Sequence, residues 1–245
     1  MASKKKRQLQ ARKSRAWLYL GSVSALFVIL IAFVWVNSAN KVSSFPYGDN
    51  EQKQAEEFFL QIIAQVNPAV PENSYFPAAL KRRLEWALTE WSHGRLEMTV
   101  ATSIELPDGR IAPPRFGWMF SDYHNGLPRI GTQGPGLYRV IHENGGYITP
   151  LTPKMKNSMA ASFAHESVHL DNKAYFQNKN VTIEQWLEEE LRTWAIVTQD
   201  IYKPLREMGQ PLDSNEVKAD DAYRTCNYLL PCEQFRKVLS EIIGH

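Results

Sequence analysis

Between Glu51 and Val66 the apolar side chains recur at helical spacing. Phe58, Phe59, Ile62, Ile63 and Val66 fall on one face, with Glu56 and Glu57 in the first half. Asn67-Pro68 and Pro71 then break the chain. Pro77 is placed to open a second helix running to about His93, with Leu80, Leu84, Ala87, Leu88 and Trp91 inward and Gly94 as its stop. From Glu97 to Leu106 the residues become β-prone (Thr99, Val100, Thr102, Ile104) and end in the turn Pro107-Asp108-Gly109. Arg115–Phe120 reads as another strand. Residues 122–136, rich in glycine, read as a loop. Tyr138–His142 and Gly146–Thr149 flank Asn144-Gly145 as the arms of a hairpin would.

After Pro153 the helical period returns. Asn157 or Ser158 is placed to cap a helix running to about Tyr175. Thr182 caps the next, with Gln185 at the capping-box position, and Pro204 is expected to end it after Tyr202. A last helix, Glu233–Ile243, carries Phe235, Val238, Leu239 and Ile242 on one face. Helices, then strands, then helices make residues 51–245 an α+β domain, preceded by a linker at 37–50.

The N-terminal stretch follows neither pattern. Seven basic residues and no acid lie within the first 15 positions. The other 21 basic residues face 26 acidic ones, so the body carries a net charge of −5 although the whole chain stands at +2. A mildly acidic body gives no signal for nucleic acid as a partner. From Trp17 to Asn40 there is no charged residue, and Trp17–Val36 is 20 residues of mainly Leu, Val, Ile, Phe and Ala. As a helix it would span about 30 Å, the thickness of the hydrocarbon core. Trp17, Tyr19 and Trp35 lie near its ends, where aromatic rings favour the membrane interface. The run is longer than the apolar region of a signal peptide, and Asn37-Ser38-Ala39 is a poor cleavage site. The expected layout is a basic cytoplasmic tail (1–16), one transmembrane helix (17–36) and a body outside the cytoplasm. The two cysteines, Cys226 and Cys232, agree with that placement: in an oxidising compartment a bridge between them would contribute about 2 kcal/mol.

The candidate chemistry lies at His165-Glu166-Ser167-Val168-His169. Two histidines at i and i+4 on a helix lie one turn apart on the same face, so both can reach one zinc ion. Glu166 falls beside the open position of such an ion. There it can take a proton from a zinc-bound water and pass it to a leaving amine. Phe163, Ala164, Val168 and Leu170 make the helix apolar around the motif, and buried histidines beside a glutamate need a partner. A catalytic zinc takes three protein ligands, so a third is required. No histidine follows before His245, but Glu188-Glu189-Glu190 lies about twenty residues after His169.

On these residues the chain resembles the gluzincins, zinc peptidases whose third ligand is a Glu on a following helix. In that family the Glu is usually followed three residues later by a small residue. Thr193 stands at that spacing from Glu190, and Arg192 from Glu189. Glu190 shares a helix face with Trp186, Thr193, Trp194 and Val197, which favours it over Glu189. The resemblance covers residues 158–200. The Asn before the Glu and the Asp after the small residue, found in larger gluzincins, are lacking. It implies a compact zincin-like domain, a peptide or protein substrate, and an oxyanion stabilised by a Tyr or His outside the motif, for which His124, His142, Tyr175 and Tyr202 are candidates. It also implies a sheet edge that binds peptide, which Tyr138–His142 or Tyr147–Thr149 would supply. The rival reading is a membrane-tethered assembly protein of an envelope complex whose zinc site is structural or vestigial.

The charge asymmetry around the apolar run generates a prediction. A reporter fused after His245 is expected to be exported, because seven basic residues precede the run and only Lys41 closely follows it. Reporter activity confined to the cytoplasm would contradict that orientation, and a mature chain starting near residue 40 would make the segment a signal peptide.

Overall fold

A computed structural model of the chain describes residues 52–101, 104–105, 111–112, 119–177 and 182–224. The apolar run at 17–36, the turn at 107–109, the two cysteines and the helix expected at 233–243 lie outside these residues. Among the described residues no helix is long and apolar enough to cross a membrane.

The first two helices form where the apolar period places them. Helix α1 (Gln52–Gln65) buries Ala55, Phe59, Ile62 and Ile63. A 3-10 turn at Pro71–Asn73 leads to α2 (Ala78–Ser92), which opens after Pro77 and buries Leu80, Leu84 and Ala87. Gly94 closes α2 with φ +68°, and the amides of Gly94 and Arg95 bond back to the carbonyls of Trp91 and Glu90. Trp91, expected inward, is instead 39% exposed. It lies in the last turn of α2, beyond the buried row that ends at Ala87.

Strand β1 (Glu97–Ala101) follows, then the short antiparallel pair β2 (Ile104–Glu105) and β3 (Ile111–Ala112). Most of the strand expected at 115–120 lies outside the described residues, and Phe120 opens β4 (Phe120–His124). The loop expected at 122–136 is largely a hairpin, because β4 turns through Asn125-Gly126 into β5 (Leu127–Gln133). Both turn residues have positive φ, 53° and 79°, as a two-residue hairpin turn with right-handed twist requires. The sheet order is β1-β5-β4, with β5 parallel to β1 and antiparallel to β4, so β4 is an edge among the described residues. Opposite each other on the hairpin, Asp122 and Arg129 form a two-bonded ion pair at 2.6 and 2.8 Å, and Arg129 lies over the Phe120 ring.

The second hairpin, expected around Asn144-Gly145, is a helix. Pro135 sits in the first turn of α3 (Gly134–Glu143), and Leu137, Val140 and Ile141 are buried at helical spacing. Asn144-Gly145 ends that helix: the amides of Gly145 and Gly146 bond to the carbonyls of His142 and Ile141. The Asn144 side chain then ties down the next loop through Tyr147, Pro150 and Thr152.

Helix α4 (Pro153–His169) occupies the middle of the domain and packs against α2, β4, β5 and a later helix, α6 (Ile183–Val197). Its cap is Thr152, whose hydroxyl accepts from the Met155 amide, because Pro153 starts the helix earlier than Asn157 or Ser158 would. Those two residues are wholly buried inside it. Asn157 bonds Tyr75 and the Pro211 carbonyl, and Ser158 accepts from the Asp213 amide. Met155, Met159, Phe163 and Val168 fill the core around α4, while Ala160, Ala161 and Ala164 let neighbouring helices come close. Phe163 alone contributes about 1.5–3 kcal/mol by burial. The helix ends at His169 rather than near Tyr175. Asp171 and Asn172 turn the chain, and a short α5 (Lys173–Gln177) follows.

Thr182 caps α6 through the expected capping box with Gln185. After Val197 the helix widens to a π-turn over Thr198–Tyr202. Pro204 then sits in the first turn of α7 (Lys203–Glu207), where its missing N–H costs nothing, and does not end the helical run. The described chain closes with α8 (Ser214–Arg224). The described architecture is therefore α+β, with a small sheet set against helices.

Gly131 marks the tightest point of the sheet. A Cβ there would collide with the Thr99 carbonyl and come within 3.0 Å of the Phe120 ring. Gly131→Ala is expected to destabilise the domain by about 1–3 kcal/mol through overpacking. Chemical denaturation of the two forms checks this; an unchanged midpoint would mean that the strands part without cost.

Candidate metal centre

The last turn of α4 carries His165 and His169 on one face, and α6 crosses that face with Glu190. The three donor groups converge. The two Nε2 atoms lie 3.1 Å apart, and the Glu190 oxygens lie 3.5 Å from His165 Nε2 and 3.4 Å from His169 Nε2. Ligands at about 2.0–2.1 Å from one tetrahedral zinc stand about 3.3 Å from each other, so the spacing fits a zinc-sized ion. His165 and His169 are 9% and 6% exposed. Of the three consecutive glutamates, Glu188 is exposed, and only Glu190 joins the two imidazoles in a group able to hold a metal.

Glu189 holds a different post. Its Oε1 lies 3.1 Å from His169 Nδ1, the nitrogen facing away from the cluster centre, and Thr193 Oγ1 lies at the same distance. Asn172 and Arg192 donate to Glu189 Oε2 at 2.6 and 2.9 Å. A carboxylate behind a ligating histidine sets its tautomer and orientation, leaving Nε2 free to bind metal. Trp194 packs edge-on against His165 and stacks on Tyr202, which the π-turn brings beneath it.

The electrostatics of the group favour a cation. Burial alone would lower the pKa of His169. The Glu190 charge, the bonds to Glu189 and Glu190 and the Glu166 charge outweigh it and hold the group at about 10. Burial would raise both glutamates. The bonds from His169, Arg192 and Asn172 instead bring Glu189 to about 2, and the two histidines pull Glu190 well below the usual carboxylate range. At neutral pH the metal-free group therefore keeps a proton on His169, which a metal would displace. A metal bound there would compete with that proton, so its affinity would rise with pH.

Glu166 turns towards the sheet, where Ser121 of β4 donates to its Oε2 at 2.7 Å. The edge strand beside the motif helix is thus β4. Tyr138–His142 lies within α3, and of Tyr147–Thr149 only Tyr147 makes a β-bridge, outside the strands described. Of the oxyanion candidates, His124 is exposed and pairs with Glu97, and His142 is exposed beside Tyr138. Tyr175 stands near the cluster: burial raises its hydroxyl pKa, and so do the charges of Glu190 and Glu189. Tyr202 is 2% exposed and lies under Trp194. Arg192 was detectable in the sequence as the i+3 ion-pair partner of Glu189. Ser121 carried no such signal, because it meets Glu166 across 45 residues of chain.

These positions separate three neighbouring glutamates. Glu190→Gln is expected to abolish stoichiometric zinc binding, Glu189→Gln to weaken it by about 10–100-fold, and Glu188→Gln to leave it unchanged. Competition titration with a chelating indicator checks the order, and equal losses at all three positions would contradict the assignment. Compared with known proteins, the chain matches no family model, no curated protein and no solved structure, so the case for its function rests on this geometry.

Proposed function

We propose that the chain is a zinc-dependent peptidase of the gluzincin type, anchored by residues 17–36 with its catalytic domain outside the cytoplasm. The observation that carries this reading is the convergence of His165 Nε2, His169 Nε2 and the Glu190 carboxylate at 3.1–3.5 Å, with the Glu166 charge acting on His169. A bound zinc would supply a Lewis acid for the scissile carbonyl and a water of lowered pKa.

The chain's own residues do the rest. His165, His169 and Glu190 would hold the ion, and Glu189 fixes the His169 ring by its Nδ1 so that Nε2 would be left for it. Glu166 accepts a proton from the attacking water and hands it to the departing amine nitrogen. The open edge of β4 can take an extended peptide by strand addition, which would set its backbone along α4. Tyr175 is the oxyanion candidate that stands near the cluster without being sealed beneath it. Glu166 also argues against a purely structural site in an assembly protein, since a metal that only holds the fold together has no use for a carboxylate held beside it.

The test is turnover of an unfolded protein by the zinc-loaded full-length chain. Glu166→Gln is expected to lower kcat by about 10²–10⁴-fold while zinc stays bound. Hydrolysis undiminished in that variant would overturn the mechanism, and no hydrolysis by the unmodified chain would favour the assembly role.

A further inference from the structure

Glu166 has two carboxylate oxygens, and one of them is already engaged. Ser121 Oγ donates to Oε2 at 2.7 Å from the neighbouring strand, a charge-assisted bond between elements distant in sequence. The strand that delivers Ser121 is fixed in register. Ser121 stands opposite Ile130, and the adjacent Asp122–Arg129 pair, closed by two bonds and largely buried, locks the hairpin. Arg129 over the Phe120 ring and the Asn125-Gly126 turn hold it from either side. Along β4 the side chains alternate. Phe120 and Asp122 meet Arg129, and Tyr123, on the same side as Ser121, meets Phe176 of α5. A slip of one residue would turn Ser121 away from Glu166.

We infer that Ser121 is the positioning residue of the general base, fixing the Glu166 carboxylate by its Oε2 so that Oε1 is the oxygen that takes the proton. This rests on the peptidase reading. In the reaction an O–H bond of the attacking water breaks and Oε1–H forms. The same proton then passes to the leaving nitrogen as the C–N bond breaks, which restores the carboxylate. Ser121 keeps its bond to Oε2 throughout. Without it, the carboxylate rotates about its side-chain torsions, and the productive geometry is one of several.

The test uses the zinc-loaded full-length protein with Ser121→Ala and Ser121→Thr. A hydrogen bond to a charged group is worth about 1.5–3 kcal/mol, so Ser121→Ala is expected to lower kcat by about 10–100-fold. KM should stay within about twofold and zinc content should not change, because no ligand is touched. Threonine keeps the hydroxyl and suits a strand, and should restore most of the rate. Crystal structures of the zinc-loaded forms give a readout independent of activity: one Glu166 conformer in the unmodified chain and the threonine form, several in the alanine form. Full kcat in Ser121→Ala, or an unchanged single conformer there, would overturn the inference. Should the unmodified chain hydrolyse nothing, the peptidase reading fails, and the crystal structures still decide whether Ser121 holds Glu166.

Discussion

A carboxylate set against two imidazole nitrogens in the interior is the contact on which the domain's organisation turns. Glu190 and His169 each bear a desolvation cost that only a charged or metal partner offsets. Meeting that demand fixes how α4 and α6 cross. A shift of one residue along α6 rotates each side chain by about 100° and would present Glu189 or Leu191 instead. Several contacts hold the crossing. Arg192 donates to the Val168 carbonyl at 2.9 Å and so ties α6 to the end of α4. Trp194 lies against His165, and the Thr182 capping box sets where α6 begins.

The remaining elements support that crossing from outside. Small residues along α4 admit its neighbours closely, and the buried Asn157 and Ser158 stitch it to the segment before α8. The end of α4 directly after His169 matters as much as its body. The turn there brings Asn172 back to Glu189, so the group that orients His169 is itself held from two sides. The sheet adds one side chain, Ser121. The Nε2 atoms of both histidines and the carboxylates of Glu166, Glu189 and Glu190 thereby each have a defined neighbour.

What the sequence made readable follows from how local each signal is. The two histidines and Glu166 lie within five residues on one helix, and helical period favoured Glu190 over Glu189, so the grouping of His165, His169 and Glu190 was legible from the family resemblance together with spacing. Helices α1, α2 and α6 were legible for the same reason, since their caps and apolar rows are contiguous. The β4–β5 hairpin was hidden because Asn125-Gly126, Gly131, Gly134 and Gly136 suggested a loop, whereas Gly131 is small to let three strands meet. The α3 helix was hidden because Asn144-Gly145 serves equally as a hairpin turn or as a helix end, and only the packing of Leu137, Val140 and Ile141 decides between them. Ser121 depends on that misread hairpin, so no local reading could place it.

The central claim is that one metal is held by two imidazoles and a carboxylate between α4 and α6. X-ray absorption at the zinc edge on the purified full-length protein tests it most directly. One zinc per chain is expected, with nitrogen and oxygen ligands at about 2.0–2.1 Å and the outer-shell scattering of two imidazoles. A sulfur shell at about 2.3 Å, or no stoichiometric zinc after loading and dialysis, would contradict it.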